Sequence, residues 1–299
     1  MNYTFKMQMK VVCLELRYRF LTLDDLPAIR KLSNSMDIRN DPKIGETAKS
    51  RIKDASCDLY GAFTEEGELV GIGGLRTLTE DYAWIEAVRI HGKYQKLGIG
   101  TKIFNYGEEL ARERNCKIVA YQTVTENTGS CRIGEKLGFT RSHEMTAFYF
   151  HRKEKSTQTE DYPKLEPIPA KEAFSLMRRM PNAPTDEICI GWDYRPLVAE
   201  IFDNNLDMNF FVHEDALALE VKERNSETGE VKFVKAIIYG SEKNALPLLD
   251  EIRGRNTGVS WFFCLVPKTL EPTIARTDFK YGRVWTGKKN IVVLFKKYL

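Results

Sequence analysis

Between Glu86 and Gly100 the chain sets a carboxylate, a guanidinium and a glycine-rich turn close together, a combination able to move a proton, hold a carboxylate and bind a phosphate. Val88 and Ile90 alternate with Arg89 at the two-residue period of a strand. Gln95, Gly98 and Gly100 then make a Q-x-x-G-x-G turn, and an amphipathic helix follows directly. Glycines carry no Cβ, so a ligand can come close to the backbone. The first-turn N–H groups of the helix face that ligand with the positive end of the helix dipole. An anionic, elongated ligand suits such a joint, and Lys93 and Lys96 add positive charge beside it.

The elements that must position this joint can be read along the chain. LRYRFLTL reads as a first strand, and Leu26, Ile29 and Leu32 recur at helical spacing behind it, with Thr22 and Asp25 placed to cap that helix. A second helix is expected near residues 46–55. DLYGAF and ELVGIGGLRTL flank TEEG as a hairpin, and AWIEAVRI is the next strand. Behind the glycine turn, Ile99, Ile103, Gly107, Leu110 and Ala111 line one face of a helix, KIVAYQTVT follows as strand, and NTGSCRIGEKLGF as a short helix ending at Gly138. TAFYFHRK closes this region as strand.

With 299 residues, two domains of ordinary size are expected. The polar, proline-containing run over 153–170 is the candidate linker, separating 1–152 from 171–299. VKFVKAIIYG, a helix over 242–253, VSWFFCLVP, a short helix near 270–275 and NIVVLFKKYL repeat the earlier order of strand, helix, strand, short helix and strand. The second copy has GSEKN where the first has its glycine turn, so a second cofactor site is not expected there. Trp192, Trp261 and Trp285 of this half read as core.

Net charge is +3, with the charge spread evenly over both halves, which removes the footprint of a nucleic-acid binder. The six cysteines form no C-x-x-C pair, and His91, His143, His151 and His213 fall in no H-E-x-x-H pattern, so neither a disulfide framework nor a metal site is indicated. His91 reads as a solvated turn residue. No apolar run approaches the roughly 20 residues of a membrane span, so a cytoplasmic protein without membrane contact is expected.

Four stretches in order, LTLDDLPAIRKL, TEEGELVGIGGL, VRIHGKYQKLGIG and NTGSCRIGEKLGF, resemble the GCN5-related N-acetyltransferases over approximately residues 14–152. More narrowly, WIEAVRIHGKYQKLGIG is similar to the W-x-E-G-L-R-V-H pattern of a tandem-domain subgroup that includes histidine N-acetyltransferase-like enzymes. The resemblance implies a mixed α/β acyl-CoA N-acyltransferase fold with a second, degenerate copy over 171–299, and acetyl-CoA as cosubstrate. It places the pantetheine arm on Val88, Arg89 and Ile90, whose backbone groups can pair with its amides, and on Asn127. The pyrophosphate falls to the backbone of Gln95, Lys96, Leu97, Gly98, Ile99 and Gly100.

In that frame Glu86 is the candidate general base for the attacking amine. In a regular strand Trp84, Glu86, Val88 and Ile90 share a face, and the apolar neighbours are expected to raise the Glu86 pKa. The alternative is a carboxylate paired with Arg89 or another cation. Arg89 lies on the opposite face unless a bulge turns it; there it would hold a substrate carboxylate, the alternative being a structural ion pair. Many members carry a tyrosine immediately before E-K-L-G-F as general acid, and this chain has Gly134 there. Tyr121 and Cys131 are nearby substitutes in sequence, each also readable as core, and no acid is assigned. The expected acceptor is a small amine, foremost a free amino acid. A protein or peptide acceptor and a CoA-binding regulator without turnover are the alternatives, and a monomer is expected because a second domain can cover the surface of a partner subunit.

Overall fold

Burial of one helical stripe explains the first elements. Ile29 and Leu32 of α1 (Leu26–Asn34) are fully buried, and together with Ile44 and Ala48 of α2 (Ile44–Lys53) they pack on one face of a sheet. The entry to α1 is fixed as its spacing suggests, with Thr22 N donating to Asp25 Oδ2 at 2.8 Å. The computed structural model describes residues 15–36, 44–152, 165–180, 182–190, 193–203, 207–225, 228–282 and 290–299. Most of the expected linker, Trp192 and Trp285 lie outside them.

The chain divides into two compact units, one of residues up to Thr77 with Ile85–Arg114, the other of Leu78–Trp84 with Asn115–Leu299. In the first, β1 (Arg17–Phe20) pairs antiparallel with β2 (Cys57–Phe63), and β2 with β3 (Leu69–Thr79). The strand β4 (Tyr82–Ile90) gives this unit its second half, followed by α3 (Ile99–Glu113). Every position expected on the inner face of α3, from Ile99 to Ala111, is buried.

In the second unit the first residues of β4, Tyr82–Trp84, run parallel to Ile118–Ala120 of β5 (Ile118–Val124). Then come α4 (Thr128–Lys136) and β6 (Thr140–His151), a strand that starts six residues ahead of TAFYFHRK. The C-terminal half supplies α5 (Ala170–Met177), the hairpin β7 (Glu187–Cys189) and β8 (Tyr194–Pro196), and α6 (Ala199–Asp203). It continues with β9 (Met208–His213), β10 (Ala216–Arg224), β11 (Val231–Tyr239), α7 (Glu242–Arg255) and β12 (Trp261–Pro267). It ends with α8 (Glu271–Ile274), β13 (Lys280–Tyr281) and β14 (Asn290–Tyr298). Here the strand order is β5-β14-β6-β12-β11-β10-β9, and β11 and β12 are parallel as β4 and β5 are.

The repeat expected from sequence is therefore real in the fold: β4-α3-β5-α4-β6 is answered by β11-α7-β12-α8-β14. The expected division at the linker is not how the chain packs. Strand β14 inserts between β5 and β6, pairing Val292 with Val124 on one side and with Met145 on the other. In return β6 lies against β12, from Trp261↔His151 to Pro267↔Met145. Each half has given its last strand to the other's sheet, so the main core clusters mix residues from both, with Met145, Phe174, Leu219 and Val292 in one. Among the described residues no helix is long and apolar enough to cross a membrane.

Candidate active site

The strand, turn and helix joint forms as its residues require. Lys96 (φ 65°) and Gly98 (φ 80°) both take the left-handed conformation, and Gly98 caps α3. A side chain at Gly98 would be strained by backbone conformation, yet it would meet nothing within 4 Å, because the loop stands open on that side. The helical ladder begins with Lys102 N donating to Gly98 O at 3.2 Å. The N–H groups of Ile99, Gly100 and Thr101 therefore point out of the helix start, where a polyanion gains both hydrogen bonds and dipole. Gln95, Lys96, Leu97 and Gly98 are exposed, and Ile99 is buried as the anchor of α3. His91 is not a solvated residue: it is 7% exposed, its N–H donates to Val70 O at 2.9 Å and its Nδ1 accepts from Lys93 N at 3.3 Å. It holds the entry to the loop.

Ahead of the loop, β4 is not a regular strand. Ala87 has φ 57°, and the parity of the strand changes across it. Ile85 packs against Gly107 of α3, and Ile90 converges with Ile99 and Ile103 of the same helix on Gly71. Strict alternation would send residues 85 and 90 to opposite faces. Glu86 and Ala87 instead share the side of α1 and α2, where Ala87 joins the core and Glu86 meets Arg51 of α2. Val88 and Ile90 thus fall on the α3 side, away from Glu86, correcting the expected common face. The Nη1 of Arg89 donates to Val88 O at 2.8 Å.

Glu86 is a held carboxylate. Its Oε1 accepts from Arg51 Nη1, from Arg76 Nη2 at 3.3 Å and from Cys57 Sγ at 3.3 Å, and Arg76 reaches on to Asp54 at 2.6 Å. Burial pushes the Glu86 carboxyl up, but the charges of Arg51 and Arg76 and the bonds from Arg76 and Cys57 outweigh it and hold the group below its ordinary value. The expectation of a raised pKa is overturned, since Val88 lies on the other side and the effect of burial is smaller than that of the two guanidinium groups and the hydrogen bonds together. Neither arginine was singled out in the sequence. The one signal was that α2 ends in basic residues on an otherwise amphipathic turn, which is common on solvated faces.

In the second unit, Asn127 caps α4, its Oδ1 accepting from Ser130 N at 3.2 Å, and the parallel ladder between β4 and β5 ends at Trp84 and Ala120. Behind it stands the position of the absent tyrosine. A Cβ at Gly134 would lie 2.9 Å from Tyr121 Cζ and 3.1 Å from Phe295 Cδ1, with the Tyr121 hydroxyl closer still. Tyr121 is 2% exposed, stacks on Phe295 at 5.0 Å and donates to Ser130 O at 2.9 Å; burial pushes its phenol up. A ring at 134 and the ring of Tyr121 exclude one another, so the missing tyrosine has its place filled from β5. Cys131, also buried, donates to Val124 O at 3.7 Å and its thiol is pushed up by burial.

This crowding is measurable. Alanine is favoured over glycine inside a helix by about 1 kcal/mol. Overpacking costs about 1–3 kcal/mol, so Gly134→Ala is expected to be destabilising on balance. Tyr121→Phe in the same chain should return part of the loss. Urea unfolding of the two single variants, the double variant and the parent checks it; equal losses with and without Tyr121→Phe would contradict the contact.

The start of α7 differs from that of α3. Asp215 Oδ1 accepts from Ser241 Oγ at 2.6 Å and from Asn244 Nδ2 at 2.7 Å. Asn182 brackets Gly240, donating to its carbonyl at 2.8 Å and accepting from its N–H at 2.9 Å. The chain's own carboxylate and amide take the helix start that a phosphate would need.

Residues 26–139 match the family model described as the acetyltransferase (GNAT) family. Streptothricin acetyltransferase of Escherichia coli is 28% identical over 110 residues, which is 37% of this chain and 62% of that relative. The chain thus spans less than two thirds of that relative's length. Among solved structures, the GCN5-related N-acetyltransferase from Sphaerobacter thermophilus aligns with TM-score 0.62 at 13% identity, covering 95% of both chains. A tandem GNAT protein from the clavulanic acid biosynthesis pathway, described as without AcCoA, aligns with TM-score 0.56 at 15% identity, covering 95% of this chain and 98% of that one. These two likenesses concern the fold.

Proposed function

We propose, from the match of residues 26–139 to the acetyltransferase (GNAT) family model, that the protein moves an acetyl group from acetyl-CoA to the amine of a small molecule bearing a carboxylate, a free amino acid being the simplest case. The observation that carries the cosubstrate is the open loop of Lys96 and Gly98 at the start of α3, with three N–H groups facing outward. Gln95 to Gly100 hold the pyrophosphate, and Val88, Arg89 and Ile90 hold the pantetheine arm.

The acceptor class is supported by Arg89, whose guanidinium fork suits a substrate carboxylate, and by the Arg51 guanidinium beside Glu86. The amine attacks the thioester carbonyl directly in a ternary complex, the tetrahedral intermediate collapses, and CoA leaves as thiolate. Magnitudes decide what help the protein must give. An α-amine of pKa near 8 is roughly a fifth neutral at about pH 7.4, whereas a lysine amine near 10.4 is about 0.1% neutral. An α-amine can therefore react without a strong base, and water carries its proton away. Glu86, held ionised by two arginines, acts as a positioning residue for them. A thiol of pKa near 8.5 is a tolerable leaving group without an acid in place of Gly134.

The test is thiol release from acetyl-CoA with free amino acids, their decarboxylated counterparts, polyamines and short peptides as acceptors. Amino acids are expected to turn over with a lower KM than amines lacking the carboxylate. Faster turnover of peptides would replace the small-molecule acceptor with a protein one. Binding of acetyl-CoA with no acceptor raising thiol release above hydrolysis would leave a CoA-binding regulator.

A further inference from the structure

Three side chains that the transfer reaction does not use meet in the second unit. His143 stands on β6, Asp186 and Glu187 enter β7, and one ligand atom from each falls within 4.8 Å of the others. His143 Nε2 is 3.4 Å from Asp186 Oδ1 and 3.4 Å from Glu187 Oε2. The outer oxygens are already taken: Lys296 of β14 donates from Nζ to Asp186 Oδ2 at 2.5 Å and to Glu187 Oε1 at 2.7 Å. Glu187 is 1% exposed, and its Oε2, aimed at the imidazole, has no hydrogen-bond partner. The buried Tyr82 hydroxyl faces the same carboxylate without an aligned bond.

Charge and geometry agree on what is wanted there. Two carboxylates share one ammonium, which leaves a negative charge beside a buried, unpaired oxygen, a costly state. An imidazolium N–H would answer only one of two oxygens at a time, at a distance longer than the about 2.7–2.9 Å of charge-assisted bonds. A metal ion answers both. Around a tetrahedral Zn²⁺ with bonds near 2.0–2.1 Å, neighbouring ligand atoms are roughly 3.3 Å apart, close to the two distances found here. Asp186 is half exposed, so its Oδ1 can turn about the Lys296 contact to close the third edge. Lys296 then bonds the outer oxygens of both ligands, as partners of metal-bound carboxylates do.

We propose that His143 Nε2, Asp186 Oδ1 and Glu187 Oε2 bind one divalent first-row transition ion, Zn²⁺ being the reference, with Lys296 orienting both carboxylates. The sequence hid it because the histidine and the carboxylates are far apart in the chain and lie in no ligand-spacing motif. The bound ion would tie β6 and β7 to each other.

The experiment takes untagged, chelator-stripped full-length protein and titrates it with Zn²⁺ by calorimetry and with Co²⁺ by visible absorption. One equivalent is expected, with the intense Co²⁺ bands of a four-coordinate site, no comparable binding of Mg²⁺, and a rise in Tm with Zn²⁺. His143→Gln and Asp186→Asn, both on accessible side chains, should each weaken Zn²⁺ by more than the roughly 10–100-fold that follows loss of an outer partner. Glu187→Gln should do the same where it folds. Absence of Zn²⁺ binding to the parent chain, or equal affinity in His143→Gln, overturns the site.

Discussion

Glu86→Gln is expected to lower stability by about 1–3 kcal/mol, the cost of leaving two partly buried guanidinium groups without this carboxylate, while the pH dependence of turnover keeps its shape. Glu86 has a side chain 11% exposed and faces Arg51 and Arg76, so the amide would accept hydrogen bonds but cancel neither charge. The sign of the pH effect follows from the depressed carboxyl. A group whose folded pKa lies below its unfolded value of about 4.3 stabilises the fold above that value and loses the contribution as pH falls through the folded pKa. The difference in unfolding free energy between parent and variant should therefore be constant from neutral pH to about 5 and shrink below about 4. Urea unfolding across that range measures it, and a pH-rate profile measures the second half. A limb near neutral pH that disappears in Glu86→Gln would restore the glutamate as the base.

Gly98→Ala should fold and bind acetyl-CoA at least about tenfold more weakly, a loss of about 1.4 kcal/mol. The backbone at φ 80° makes any side chain cost about 1–2 kcal/mol in the folded state. A Cβ there meets nothing in the protein, so the fold itself is not crowded. The side chain would instead project from the open loop that we propose holds the pyrophosphate. The loss should fall on the KM for acetyl-CoA and leave the KM for the amine unchanged. A variant that is destabilised yet binds acetyl-CoA as the parent does would move the phosphate away from this loop. Gly134→Ala, whose Cβ is crowded, is the opposite case, a change felt in stability first.

What could be read from residues alone was what depends on local pattern. The turn ending in Gly98 and the helix face Ile99 to Ala111 are set by short-range spacing, and both stand as read. The repeat of strand, helix and strand in the C-terminal half was legible for the same reason. The hairpin of β9 and β10 was not, because ALALEVKER is rich in helix-forming residues and its turn at Glu214 and Asp215 contains no glycine, Glu214 taking φ 53° itself. Burial on both faces of β10 overrides that local preference. At the site, one residue in the left-handed region at Ala87 reversed which side chains accompany Glu86, a change invisible to a count at period two. The pKa of Glu86 failed for a related reason: its determinants, Arg51 and Arg76, come from other elements.

The exchange of β14 and β6 bears on how such a chain can be made. Val292 seats beside Val124, and Asn290 beside Ala147, so β5 and β6 keep a gap between them until β14 has been synthesised. Folding on the ribosome cannot finish the N-terminal sheet first and the C-terminal sheet afterwards. Contacts of such long sequence separation raise contact order and slow folding, and they expose two strand edges while the ribosome is still at work. A fragment cut at residue 152 would carry the entire phosphate loop and still lack the strand that closes β5 against β6, so it should aggregate or bind a second copy through those edges. Strands β5, β14 and β6, drawn from both halves of the chain, thus belong to one sheet that neither half can complete.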